Sequence, residues 1–120
     1  MPAAAADWLT ALEMWGTKCF AEMVAPAVEL ARAGFPLHFT GAAAMPGLVK
    51  SIAAWPSSMQ VFAPAGRPLR FGETLVQAEL ASTFEHLVAA EKSRSSVSRE
   101  AGIRAARDEF YRGAIADEMA

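Results

Sequence analysis

The chain has 120 residues, with thirteen acidic and eleven basic side chains, two histidines and one cysteine, for a formal charge of −2. Apolar residues make up 53 % and charged ones 20 %, a balance rich for a free-standing domain and closer to that of a piece of a larger body. Acidic and basic residues are interspersed, so there is no basic footprint for nucleic acid or an anionic membrane surface. No apolar run approaches the ~20 residues a bilayer-spanning helix needs. The single cysteine excludes an internal disulfide. The start, MPAAAADW, lacks a basic region followed by an apolar core, so the chain as it stands is expected to be cytoplasmic.

In chain order, the spacing first predicts a helix over 8–15. Asp7 is its expected N-cap, Trp8, Leu12 and Trp15 share a face, and Gly16 is expected to close it in the left-handed conformation. A second helical stretch over 20–33 contains Pro26, which has no amide hydrogen and crowds the carbonyl four residues back. A break or kink is expected there, with Pro26 opening a second piece. Met23, Val24, Val28 and Ala31 form its apolar stripe, while Glu29 and Arg32 face out. Gly34 falls where a left-handed residue ends a helix, and Phe35 is placed to fold back on Leu30.

Beyond Pro36 the pattern weakens. Thr40 is a possible cap, but Gly41, Pro46 and Gly47 argue for a short turn and then a helix over 46–54, with Leu48, Val49 and Ile52 inward and Pro56 stopping it. Residues 56–76 have no sustained period and read as a long ordered loop. At most, Val61 and Phe62 pair with Leu69 and Phe71 in a brief hairpin, and Gly66 and Gly72 supply positive φ. The clearest helix is expected over 78–92, with Leu80, Phe84, Leu87 and Val88 on one face. After a polar spacer over 93–98, Ser98 is expected to cap a helix from Arg99. Ile103, Ala106 and Phe110 point inward, Arg104 and Asp108 pair outside, and Gly113 bends the chain before a short tail helix. The fold class is all-α for the isolated chain.

The chemically suggestive residues carry bland readings. His38 and His86 lie far apart, with no partner at a metal-ligand spacing. Cys19 reads as a small hydrophobe, and Ser57 and Ser58 as turn residues without the Gly-x-Ser-x-Gly elbow. Gly66, Arg67 and Gly72 lack the strand and the Gly-Lys-Ser/Thr of a phosphate loop. Trp8, Trp15 and Trp55 are read as core, and Phe84 and Phe110 as packing residues. No catalytic, cofactor-binding or metal-binding residue is assigned.

Three segments, in order, are similar to a known family. In APAVELARAGFP the matching positions are Pro26, Ala27, Val28, Leu30, Ala31, Gly34, Phe35 and Pro36. Gly66, Arg67, Pro68 and Gly72 follow, then Leu80 and Ala81. In FYRGAIA they are Phe110, Tyr111, Gly113, Ile115 and Ala116. Together they resemble part of the large subunit of the γ-glutamyltransferases, which are N-terminal nucleophile hydrolases.

The resemblance implies that residues 1–120 are one helical segment or domain of a longer enzyme, packed outside a four-layer αββα sandwich. It further implies transfer or hydrolysis of γ-glutamyl groups with a glutathione-type donor. The expected partners are the remainder of the large subunit and a small catalytic subunit, and the expected location of the parent is often periplasmic or secreted. The family's nucleophile is a threonine freed by self-cleavage in an Asp-Thr-Thr-His-like context, because its own α-amino group serves as base. Thr10, Thr17, Thr40, Thr74 and Thr83 lack that context, and the family's carboxylate-holding arginine lies upstream of the matched stretch. The chain alone is therefore expected to be inactive and to act as scaffold, the alternative being a stand-alone helical interaction protein.

Overall fold

The computed structural model describes residues 3–119. Seven helices are present among them: α1 (Ala4–Trp15), α2 (Phe20–Ala33), α3 (Phe39–Ser51), α4 (Pro56–Phe62), α5 (Ala78–Arg94), α6 (Arg99–Arg112) and α7 (Ala114–Met119). Two short strands, β1 (Phe35–Pro36) and β2 (Thr74–Leu75), pair antiparallel with Phe35 opposite Leu75 and Pro36 opposite Thr74. The all-α expectation holds, but the expected hairpin gives way to a helix, α4, and the ladder joins segments on either side of α3 and α4 instead. Pro56 explains the change. Its missing amide and fixed φ suit the first position of a helix, so it opens α4 as well as ending what precedes it.

The chain divides into two compact units. One is built from both flanks, up to Val28 and from Glu79 onward, and the other is Glu29–Ala78. In the first unit, α1 starts earlier than expected, because alanines 3 to 6 are the best helix formers and carry the helix back to Ala4. Asp7 is then a first-turn acid rather than the cap, favourable to the positive end of the helix dipole. Gly16 is extended (φ −80°, ψ 156°), not left-handed, and its amide donates to the Leu12 carbonyl at 3.0 Å.

Helix α1 packs on α6, and α6 on α7. The core of this unit is formed by Leu9, Val24, Ala81, Leu87, Ile103 and Ala106, of which Ala81, Ile103 and Ala106 are fully buried. The inward face of α5 therefore runs through Ala81, Leu87 and Glu91, rotated from the expected stripe, and leaves Leu80 exposed. Phe84 and Phe110 are half-buried, and Phe110 meets Tyr111 edge-on with ring centroids 4.9 Å apart. The tryptophans overturn the core reading: Trp8, Trp15 and Trp55 are 73 %, 76 % and 58 % exposed, and Met23 is exposed as well.

Helix α2 is one continuous helix through Pro26 rather than two pieces. An interior proline costs about 3 kcal/mol, and here α2 is held on both sides of it, by buried Val24 and Ala31 and by a side-chain anchor on its first turn described below. Gly34 takes φ +80° as expected, and its amide donates to Leu30 at 2.8 Å, a single-bond left-handed ending. Phe35 does not need Leu30. It enters β1 and packs on the core of the second unit, formed by Leu37, Met45, Leu69 and Leu75 with Val61 and Phe62, while Leu30 stays exposed.

Helix α3 begins at Phe39, well before the expected start, because His38 caps it: Nδ1 accepts the Gly41 amide at 2.8 Å. Thr40 is inside the helix and Pro46 lies in its interior. Gly66 and Gly72 have φ of 71° and 80°, the positive values expected of them.

Two substitutions test this packing. Ile103→Ala should lower unfolding free energy by about 2–5 kcal/mol in urea titration, with the half-buried Phe84→Ala costing less. Gly34→Ala should destabilise by at least about 1 kcal/mol, since it combines a positive φ with a Cβ only 2.5 Å from Thr74 Cγ2.

Candidate functional site

The polar groups of the first unit converge on helix ends. Glu91, on the inner face of α5 and only 3 % exposed, points at the start of α2. Its Oε1 accepts the Phe20 amide at 2.6 Å and its Oε2 the Ala21 amide at 2.8 Å, satisfying two donors that have no partner within the helix. Glu22 completes the cap by accepting the Cys19 amide at 3.2 Å, as the third residue of a capping box does. Its Oε1 also takes a salt bridge from Lys18 at 2.9 Å. Lys18, and then the Cys19 amide, hold the Glu22 carboxyl down to about 2.

The opposite end of α1 is tied in the same manner by a cation. Arg99 donates from Nη1 to the Leu12 carbonyl at 3.0 Å and the Lys18 carbonyl at 3.2 Å, and from Nη2 to the Glu13 carbonyl at 2.9 Å. The Glu13 side chain takes Arg104 at 2.7 Å and Arg107 at 3.2 Å, and Arg107 also donates to Thr10 Oγ1 at 3.1 Å. Arg104 thus reaches across to α1 instead of pairing with Asp108, whose partner is Arg112 at 3.7 Å. Tyr111 Oη accepts the Ala6 amide at 2.9 Å, tying the start of α1 to α6. Ser98 caps α6 as expected, accepting the Ala101 amide at 3.0 Å. Among the described residues no buried side-chain nitrogen or oxygen is left without a partner.

Beside this polar framework α1, α2, α5 and α6 enclose an open hollow of about 560 Å³. Its floor is Leu9, Val24 and Leu87, and its rim includes the exposed Trp8, Met23 and Leu80, with Phe84 and Phe110 in the wall. Of the described residues lining it, none carries a charge and Thr83 alone has a hydroxyl, which donates to the Glu79 carbonyl at 3.0 Å. Such a surface offers no general acid, base or nucleophile. It can exclude water from an apolar surface placed against it, and that is what it can do chemically.

In the second unit, Arg67 and Glu73 form a two-pronged salt bridge, Nη1 to Oε2 at 2.9 Å and Nη2 to Oε1 at 2.6 Å, and the Arg70 amide adds a 2.8 Å bond to Oε2. Arg67, and then the Arg70 amide, hold the Glu73 carboxyl down to about 2. The loop before β2 is closed by its own side chains, so Arg67 serves the turn between Gly66 and Gly72 rather than an anion.

The residues weighed from the sequence do not come together. His38 is a helix cap, His86 is exposed on α5, Cys19 is half-buried ahead of α2, and Ser57 and Ser58 lie in the first turn of α4. Among the described residues no three His, Cys, Asp or Glu side chains group as metal ligands. No described helix is long and apolar enough to cross a membrane. Sequence reasoning missed Glu91 and Arg99. The only available signal was a glutamate in line with the apolar positions Leu80, Phe84 and Leu87 of α5.

The family model for gamma-glutamyltranspeptidase matches residues 1–120. The chain belongs to that family, and its helices are a helical part of the large subunit of an N-terminal nucleophile hydrolase fold. It is similar to the glutathione hydrolase proenzyme of Escherichia coli (strain K12), 33 % identical over 99 % of this chain and 18 % of the relative. It superimposes on a solved form of LmbA2991 with a TM-score of 0.86 and 31 % identity, covering 97 % of this chain and 20 % of the other. It also superimposes on the Bacillus anthracis transpeptidase enzyme CapD with a TM-score of 0.66 and 20 % identity, over 96 % and 35 % of the two chains, a likeness of fold alone. The chain spans 13–18 % of the length of the curated relatives it matches.

Glu91→Ala should destabilise by about 1–3 kcal/mol in urea titration, because two amides lose their acceptor, while Glu91→Gln, which keeps one carbonyl oxygen, should lose less. Glu22 and Glu73 have folded-state values depressed from 4.5 to about 2. Their stabilisation is present above the unfolded value and is lost as pH falls through the folded one. In urea midpoints measured from pH ~5 to ~2, the parent should fall towards the Glu73→Gln variant, the difference narrowing with acid.

Proposed function

We propose that this chain is a structural segment of the large subunit of a γ-glutamyltransferase-like enzyme, and that the threonine nucleophile of that enzyme lies outside these residues. The parent would transfer or hydrolyse γ-glutamyl groups from a glutathione-type donor. The observation carrying this reading is the family match along all 120 residues, which nevertheless correspond to only 18 % of the Escherichia coli relative.

The site chemistry supports it. Thr10 and Thr83 are engaged in helix contacts, Thr40 and Thr74 lie within α3 and β2, and none is joined to a base. The buried Glu91 is tied to the start of α2, and Arg99, Arg104 and Arg107 of α6 are tied to the end of α1 or to Glu13. These ties hold α1, α2, α5 and α6 in place beside an apolar face.

A purified chain given a γ-glutamyl anilide should release anilide no faster than buffer does. Turnover above that background, abolished by changing one of the chain's own threonines, overturns the reading. Turnover that appears only on mixing with a small-subunit preparation supports it.

A further inference from the structure

We propose that His38 makes the opening turn of α3 a pH-sensitive element, capped while its imidazole is neutral and released when the ring is protonated. His38 is the N-cap of α3, with extended backbone (φ −75°, ψ 166°), and its Nδ1 accepts the Gly41 amide at 2.8 Å. Accepting an N–H fixes Nδ1 as the unprotonated nitrogen, so the neutral ring carries its proton on Nε2. Protonation turns Nδ1 into a donor. The imidazolium then faces an amide hydrogen and sets a positive charge at the positive end of the helix dipole, two effects that act in the same direction. The usual caps, serine, threonine, aspartate and asparagine, keep their acceptor across the neutral range, whereas an imidazole changes charge within it.

The surroundings leave that exchange open. His38 is exposed, so the proton arrives directly from water. The ring lies over Gly41, where a Cβ would stand 3.1 Å from Nδ1, and glycine is what lets the imidazole reach the amide. Helix α3 has no acid in its first turn to hold an imidazolium, and its one charged side chain is Lys50, in the last turn. On the segment bonded to Leu37, the Glu73 carboxylate is already taken by Arg67 and the Arg70 amide. Arg70 itself, with Glu29 and Arg32 on α2, completes the charged groups of the second unit. Release of the turn frees the exposed Phe39 to move, while buried Leu37 and Met45 stay in the core. The stabilisation from the cap is thus present above the imidazole titration and lost as pH falls through it.

The test uses the whole chain and no activity, so it stands apart from the scaffold reading. Amide exchange at Gly41, divided by the intrinsic rate at each pH, is followed by NMR from pH ~8 to ~5 in the parent, in His38→Asn, whose side chain caps without titrating, and in His86→Gln, which removes the other histidine. In the parent and in His86→Gln the quotient should rise about fivefold, the factor to which a typical cap corresponds, and in His38→Asn it should stay within about twofold. Over the same range the urea midpoint of the parent should fall relative to that of His38→Asn. Glu22 and Glu73, held down to about 2, stay ionised throughout and contribute nothing to the difference.

A Gly41 quotient that stays flat in the parent overturns the inference. A rise that persists in His38→Asn, or that disappears in His86→Gln, overturns it too, because another group would then be the one that titrates. Urea midpoints of the parent and His38→Asn that move in parallel have the same consequence.

Discussion

A buried carboxylate facing the first turn of α2 is the constraint on which the first unit depends. Glu91 lies among apolar neighbours, where an unpaired charge is costly, and it is tolerated because two otherwise unsatisfied amides and the positive end of a helix meet it. That pairing fixes three things at once: where α2 begins, how α5 lies against it, and which face of α5 turns inward. Gly102 follows from the same contact. A Cβ there would stand 3.0 Å from the Glu91 carbonyl oxygen, so only glycine lets α6 approach so closely without a shift. The anchored first turn also accounts for α2 running unbroken through Pro26.

Arg99 is the complement at the other pole, a cation on the carbonyls at the end of α1, where the helix dipole is negative. Both ties join segments 70 or more residues apart in sequence, so the unit is closed by charges from its C-terminal half acting on helix ends in its N-terminal half. These charges are engaged in architecture, and the surface beside them is apolar.

The second unit is organised on a smaller scale. A two-residue ladder, a left-handed glycine at the end of α2 and the Arg67–Glu73 pair turn a proline- and glycine-rich stretch back on itself around Leu37, Met45, Leu69 and Leu75. Among the described residues the three positive-φ positions are all glycines, because side chains rarely tolerate that backbone region. The interaction of Arg67 with Glu73 is local and half-exposed. It shapes the turn and adds little to the core.

What the amino-acid order determined by itself was local. The α5 and α6 helices, the span of α2 though not its continuity through Pro26, the Ser98 cap, the endings at Gly34 and Gly113 and the family segments were legible because periodicity, capping and glycine conformation act within a few residues. The same logic failed where a local rule had a stronger neighbour. Alanines 3 to 6 outran Asp7, His38 capped a helix in a place where Thr40 had been the expected residue, and Pro56 began a helix instead of only ending one. The exposed tryptophans, the turning inward of Ala81 and Glu91, the partner of Arg104 and the existence of the hollow were decided only by tertiary structure. Which face of an amphipathic helix is covered depends on where other helices lie, and here that was set by carboxylate and guanidinium contacts between distant segments, which leave no periodic trace in the sequence.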